Sequence, residues 1–192
     1  MNRSAIALLA LTLPLSAAAE RLRVDALVFQ NLAGGEERGS SPRRPDDPRA
    51  IGLDDTRGLA AAGITLLPET SSTLAAEWQA LAAARNFKPL LRLSWMQENP
   101  GLQGGPALRI YLPNGDGISG LSGWLRLNKG RVEHLTANLE YVQAETVISK
   151  NNAALRAPQA YRLQERRTVG TQALHYLDSS RIGVLVRVTP AP

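Results

Sequence analysis

Apolar and polar positions alternate with a period of two along much of this chain. The first clear run is "RLRVDALVFQ", Arg21 to Gln30, which puts Leu22, Val24, Ala26 and Val28 on one side of an extended chain. Leu27 and Phe29 make the other side apolar too, which predicts a central strand covered on both faces. In "FKPLLRLSWMQ", Leu91, Leu93 and Trp95 face away from Arg92, Ser94 and Met96, and a shorter run, "ALRIYL", follows a Gly/Pro-rich connection. "GWLRLNKGRVEHLTANLEY" predicts a hairpin, because two alternating runs flank Asn128-Lys129-Gly130 and glycine tolerates the positive φ of a short turn. In its returning strand Leu135, Ala137, Leu139 and Tyr141 share one face, and Val132, His134, Thr136 and Asn138 the other. "AYRLQERRTVG" and "ALHYLD" predict another strand pair, and "IGVLVRVTP" a closing strand.

One segment has helical spacing instead. Leu74, Trp78, Leu81 and Arg85 recur at helical intervals among alanines, with hydroxyls at Thr70 to Ser72 to cap the first free amides. Trp78 then belongs to the core between helix and sheet. Asn31 to Gly58, containing "GGEERGSSPRRPDDPR", shows no periodicity and predicts a long flexible loop. The expected class is α+β: a mainly antiparallel sheet with one principal helix packed on one face, in a single domain. No internal repeat suggests a second.

The N-terminus changes the setting of this fold. "MNRSAIALLALTLPLSAAAE" has a basic start at Arg3, an apolar run from Ala5 to Leu15, and small residues at Ala17 and Ala19. The apolar run falls short of the ~20 residues needed to span a bilayer. It predicts a signal peptide over residues 1–19, cleaved between Ala19 and Glu20, and a periplasmic domain over 20–192 with no membrane insertion. The absence of cysteine excludes a lipidated N-terminus, disulfides and thiolate metal sites. The formal net charge of +5 comes mainly from arginine, since lysine occurs only at Lys88, Lys129 and Lys150. Arginine grips carboxylates and phosphates at two points, and an exported basic protein meets anionic lipid headgroups and anionic wall polymer more often than nucleic acid.

Catalytic patterns are missing. His134 and His175 are the only histidines, and neither lies in a metal-binding spacing, so no metal or other cofactor is expected. "GISGLSG" lacks the nucleophile-elbow spacing and precedes a strand, and neither "GGEERG" nor "GLQGG" matches a phosphate loop. Asp25, Glu133 and Glu140 carry no local mark of an acid–base pair.

The unusual groups cluster instead in "QERRTVGTQALHYLD", Gln164 to Asp178. Strand alternation puts Arg162, Gln164 and Arg166 on one face and Leu163, Glu165 and Arg167 on the other. If Leu163 faces inward, Arg167 and Glu165 need partners, either each other or Asp178. His175 and Tyr176 alternate in the same way. Two readings stand: an Arg/Glu ladder that solvates a sheet face, or a receptor for carboxylates.

With those residues on the page, the chain resembles the CsiV family of periplasmic peptidoglycan-binding proteins, named for cell shape integrity. The resemblance runs through "RVDALVFQ", "LRLSWMQ", "GWLRLNKGRVEHLTANLEY", "YRLQERRTVGTQALHYLD" and "GVLVRVTP". It departs at Ser179-Ser180, where the family usually has His-Pro. The family implies a non-enzymatic protein that binds peptidoglycan and supports wall synthesis and cell shape. The implied partners are an outer-membrane lipoprotein activator and its bifunctional synthase. On that implication Arg162, Arg166 and Arg167 receive stem-peptide carboxylates, while His175, Tyr176 and Asp178 shape the site. Trp95, Trp124 or Tyr176 would offer a stacking surface to sugars if exposed. The alternative is an adaptor that docks a wall synthase or its activator without binding glycan.

Overall fold

The computed structural model describes residues 21–34, 39–101, 104–116, 119–148 and 154–191. The expected signal peptide lies outside the described residues. Among the described residues, ten strands form two five-stranded sheets. The first sheet has the order β3 (Ile64–Leu67), β4 (Phe87–Glu98), β1 (Arg21–Asn31), β10 (Ile182–Pro190), β9 (Leu174–Asp178). The second has the order β2 (Ala50–Gly52), β5 (Ala107–Pro113), β6 (Gly120–Lys129), β7 (Glu133–Ile148), β8 (Ala154–Thr168). Every pairing is antiparallel except β2 with β5. The expected single sheet is thus a pair, stacked through one core.

Alternation explains that core. Leu22, Val24, Ala26 and Val28 of β1 pack with Leu125, Leu127, Leu135, Leu139 and Leu163 of the opposing sheet, all nearly sealed from solvent. As its two-sided apolar pattern requires, β1 is central, and its second face carries the principal helix, α2 (Ala75–Ala83). Leu74 and Leu81 from the helix segment pack there against Leu27 and Phe29. Trp78 is half-buried at the rim of this cluster, its ring 5.5 Å from the Arg92 guanidinium.

Three local expectations are corrected. Thr70 to Ser72 cap α2 only in part: Glu69–Ser71 form a separate 3-10 turn, Ser72 Oγ accepts the Leu74 N–H at 3.3 Å, and Leu74 at the N-cap offers no side-chain acceptor to the helix that starts one residue later. Thr73 is drawn away by the buried Asp25, which accepts its hydroxyl at 2.9 Å and its N–H at 3.3 Å. Secondly, Asn31–Gly58 is not loop throughout. It contains β2 and opens α1 (Thr56–Ala61), elements too short to leave a period in the sequence.

Thirdly, β8 and β9 are not a strand pair. β8 pairs with β7 in one sheet, β9 with β10 in the other. Between them the chain turns across the edge of the sandwich. The buried Val169 donates its N–H to Glu133 O (2.9 Å), and Gln172, at φ 69°, donates to Val188 O (2.6 Å). Each end of the link is therefore fastened to a different sheet.

Candidate binding site

The outer face of the second sheet is polar by register. Ser122, Trp124, Arg126 and Asn128 of β6 lie beside Glu140, Asn138, Thr136 and His134 of β7. Those in turn lie beside Arg162, Gln164, Arg166 and Thr168 of β8. Yet all four of these β6 residues are buried, because the segment from Ser40 to Ala50 crosses the face as a strap. Ser40 pairs with Ala160 beside β8 at one side, and Ala50 begins β2 beside β5 at the other.

Ion pairs fasten the strap where it crosses. Glu140 accepts the Arg43 N–H at 2.9 and 3.0 Å and Arg162 Nε at 2.8 Å. Arg162 also donates to Ser40 Oγ and Ser41 O, both at 2.7 Å. Further along, Asp47 accepts Arg126 Nη2 at 2.6 Å and the Arg49 N–H at 2.8 Å. Burial pushes the Asp47 carboxyl up, but the bonds from Arg126 and Arg49 outweigh it and hold it below the usual carboxylate range. The Arg126 guanidinium, 4.7 Å from the Trp124 ring centre, also donates to Gly105 O at 2.8 Å.

Beside the strap the face opens into two adjoining grooves. Arg44 leaves the strap and lies 4.6 Å over the ring of Tyr111, which is 54% exposed. On one side of this stack a groove of about 600 Å³ is lined by Pro42, Pro113, Ser119, Ser122, Glu140 and Pro158 among others. On the other, a groove of about 700 Å³ is lined by Asp46, Leu53, Asp54, Arg109 and Ile110 to Leu112 among others. Both volumes fall in the ordinary range for ligand sites. The Arg44 guanidinium faces no carboxylate among the described residues.

The residues singled out in the sequence fall in separate places. Arg162 is committed to Glu140 and the strap. Arg166 stands exposed on the same outer face, with no polar partner among the described residues. Arg167 points the other way, at the rim, where its Nε donates to Glu165 Oε1 at 2.7 Å. Glu165 Oε2 accepts the Asp178 N–H at 3.2 Å, so Arg167, Glu165 and the start of the β9–β10 turn form one cluster. His175 faces the inner side beside the buried Leu177, with Nε2 3.1 Å from Gly170 O. Tyr176 lies on the far side of the first sheet, its ring parallel to Phe29 at 6.1 Å. Burial raises the Tyr176 pKa, and the Asp178 charge and hydrogen bond add to the rise. Trp95 and Trp124 are buried, which leaves Tyr176 as the exposed aromatic of the three considered for sugar stacking.

The sequence reading missed Arg44 and Tyr111. The signal was "PRRP", Pro42 to Pro45: two prolines with fixed φ stiffen the arginine pair between them, which a flexible loop does not need. Asp25, Glu133 and Glu140 are each tied to a basic partner: Arg23, Lys129 and Arg162. No described helix is long and apolar enough to cross a membrane.

A protein-family model described as a peptidoglycan-binding protein, CsiV, matches residues 3–191. No curated protein and no solved structure matches the chain.

Proposed function

Because the chain belongs to the CsiV family of peptidoglycan-binding proteins, we propose that it is an exported, non-enzymatic protein that binds peptidoglycan in the periplasm. In that role it supports wall synthesis and cell shape. The observation that carries this reading is the family match, which spans nearly the whole chain. Peptidoglycan stem peptides present free carboxylates, and the outer face of the second sheet presents arginines to solvent at Arg44 and Arg166. Arg162 and Arg167 hold the strap and the rim, and His175, Tyr176 and Asp178 support the edge of the first sheet.

Sedimentation of residues 20–192 with purified wall sacculi across a salt series tests the reading. Pelleting that weakens as salt rises is expected, because exposed charge contacts are screened. No pelleting at low salt would overturn it, and soluble fragments released from the sacculi would overturn the non-enzymatic part.

One observation favours the adaptor alternative. β9 is the last strand of its sheet and leaves Leu174 42% and Tyr176 40% exposed, a surface on which a protein partner could dock. Capture of a wall synthase or its lipoprotein activator, with no sacculus binding, would favour that reading.

A further inference from the structure

Resting on the peptidoglycan-binding reading, we propose that the two grooves flanking the Arg44–Tyr111 stack form one site for an extended peptide. That peptide carries a free carboxylate and a free amino group, as uncross-linked stem peptides do. Three features of the grooves converge on this ligand.

The first is an available cation. Arg44 is exposed, oriented by its contact with Tyr111, and unpaired among the described residues. Glu140 also lines the first groove, but its carboxylate is occupied by Arg162 and the Arg43 N–H. The free charge there is positive, suited to a carboxylate. Stacking on the ring fixes the fork before the ligand arrives, so less ordering is lost on binding.

The second is an available anion on the other side of the stack. Asp54 lines the second groove, is exposed, and has no ion-pair or hydrogen-bond partner for its carboxylate among the described residues. Its neighbour Asp46 holds Arg109 only loosely, at 3.4 Å with 78% of the Asp46 side chain exposed. A free ammonium fits this side.

The third is an open strand edge. β2 pairs with β5 only over Ala107 to Arg109, whereas β5 runs on to Pro113. From Ile110 onward no described strand covers that edge, and its residues Ile110 to Leu112 line the second groove. A peptide laid along it continues the sheet, with main-chain hydrogen bonds supplying affinity and the flanking charges supplying selection. A sugar chain lacks the repeating amide N–H and C=O groups that would continue the ladder along such an edge.

The test is calorimetric titration with L-alanyl-γ-D-glutamyl-meso-diaminopimelate in three forms: free, carboxyl-amidated, and N-acetylated. The Arg44→Ala, Asp54→Asn and Arg85→Ala proteins run beside the wild type, with sacculus sedimentation on all four. The substituted side chains are exposed, and a matching thermal melt certifies each fold. Amidation and Arg44→Ala are each expected to weaken binding at least about tenfold, and N-acetylation and Asp54→Asn to weaken it measurably. Arg85→Ala, an exposed arginine at the end of the helix segment, should bind the tripeptide as the wild type does. Sacculus pelleting with no dependence on Arg44 would overturn this site and leave the wall-binding function standing. Failure of the wild type to pellet would overturn the function, and this inference with it. Equal affinity for the free and amidated peptides would overturn the carboxylate assignment.

Discussion

Glu140 has a side chain only 1% exposed, and its carboxylate holds both Arg162 and the main chain at Arg43. Replacing it with glutamine keeps the shape but sets an amide N–H against donors. Glu140→Gln is therefore expected to lower stability by about 1–3 kcal/mol, seen as a lower urea midpoint at unchanged slope. Tyr161 provides a separate test one register position away, on the core-facing side of the second sheet. Its hydroxyl donates to Glu145 at 2.6 Å, and burial first, then that carboxylate, pushes its pKa up to about 12. A group whose pKa is raised on folding contributes stability below its unfolded value of 10.0 and loses it as pH climbs toward 12. Tyrosinate absorbance should thus show a last step near pH 12, and Tyr161→Phe should remove it while the rise at Tyr176 remains. Neither Glu140 nor Tyr161 stands out in the sequence, because each partner comes from another strand or another segment.

At the scale of elements, strand alternation was legible and strand partnership was not. The faces of β1, β7 and β8 follow from their sequence, since side chains must alternate once one face is buried. Whether β8 pairs with β9 depends on the course of the chain through Val169 to Gln172, which has no periodicity to read. Gly183 shows how closely the elements fit. A Cβ there would lie 2.3 Å from the Phe29 ring, which is held between Phe87 (5.3 Å) and Tyr176 (6.1 Å). Phe29 has no free space to move into, being only 3% exposed. Gly183→Ala should cost about 1–3 kcal/mol, and a crystal structure or ring-shifted proton resonances should show Phe29 and Tyr176 displaced from parallel.

At the scale of the whole molecule, buried carboxylates couple the fold to pH. In Asp25, burial pushes the pKa up, but hydrogen bonds from Arg23, Ser94 and Thr73 outweigh it and leave the carboxyl below its ordinary 3.8. Asp47 and Glu133 follow the same pattern with Arg126 and Lys129. Carboxylates lowered on folding contribute stability that is complete above their unfolded pKa and lost as pH falls through the folded one. Unfolding free energy should therefore lose the contribution of these groups below about pH 4, and Asp25→Asn should show a shallower acid limb in urea titrations. Asp25 and Asp47 each tie a strand to a segment outside the sheets, so acid should loosen the strap and the approach to α2 together.

The order of alternating runs determined the strands, their buried faces, the central place of β1 and the α+β class. That follows from periodicity, which is a local property once water must be excluded from one side. Family membership could also be read from the order and wording of those runs. Tertiary structure decided what lies across each strand. It split the expected sheet in two, sent β8 and β9 to different layers, and turned a Pro/Arg-rich loop into a strap. It also assigned Arg162 to Glu140 while leaving Arg44 and Arg166 free of described partners. An arginine's partner sits on another segment at a distance that sequence spacing does not encode, so only the fold separates a structural arginine from an available one.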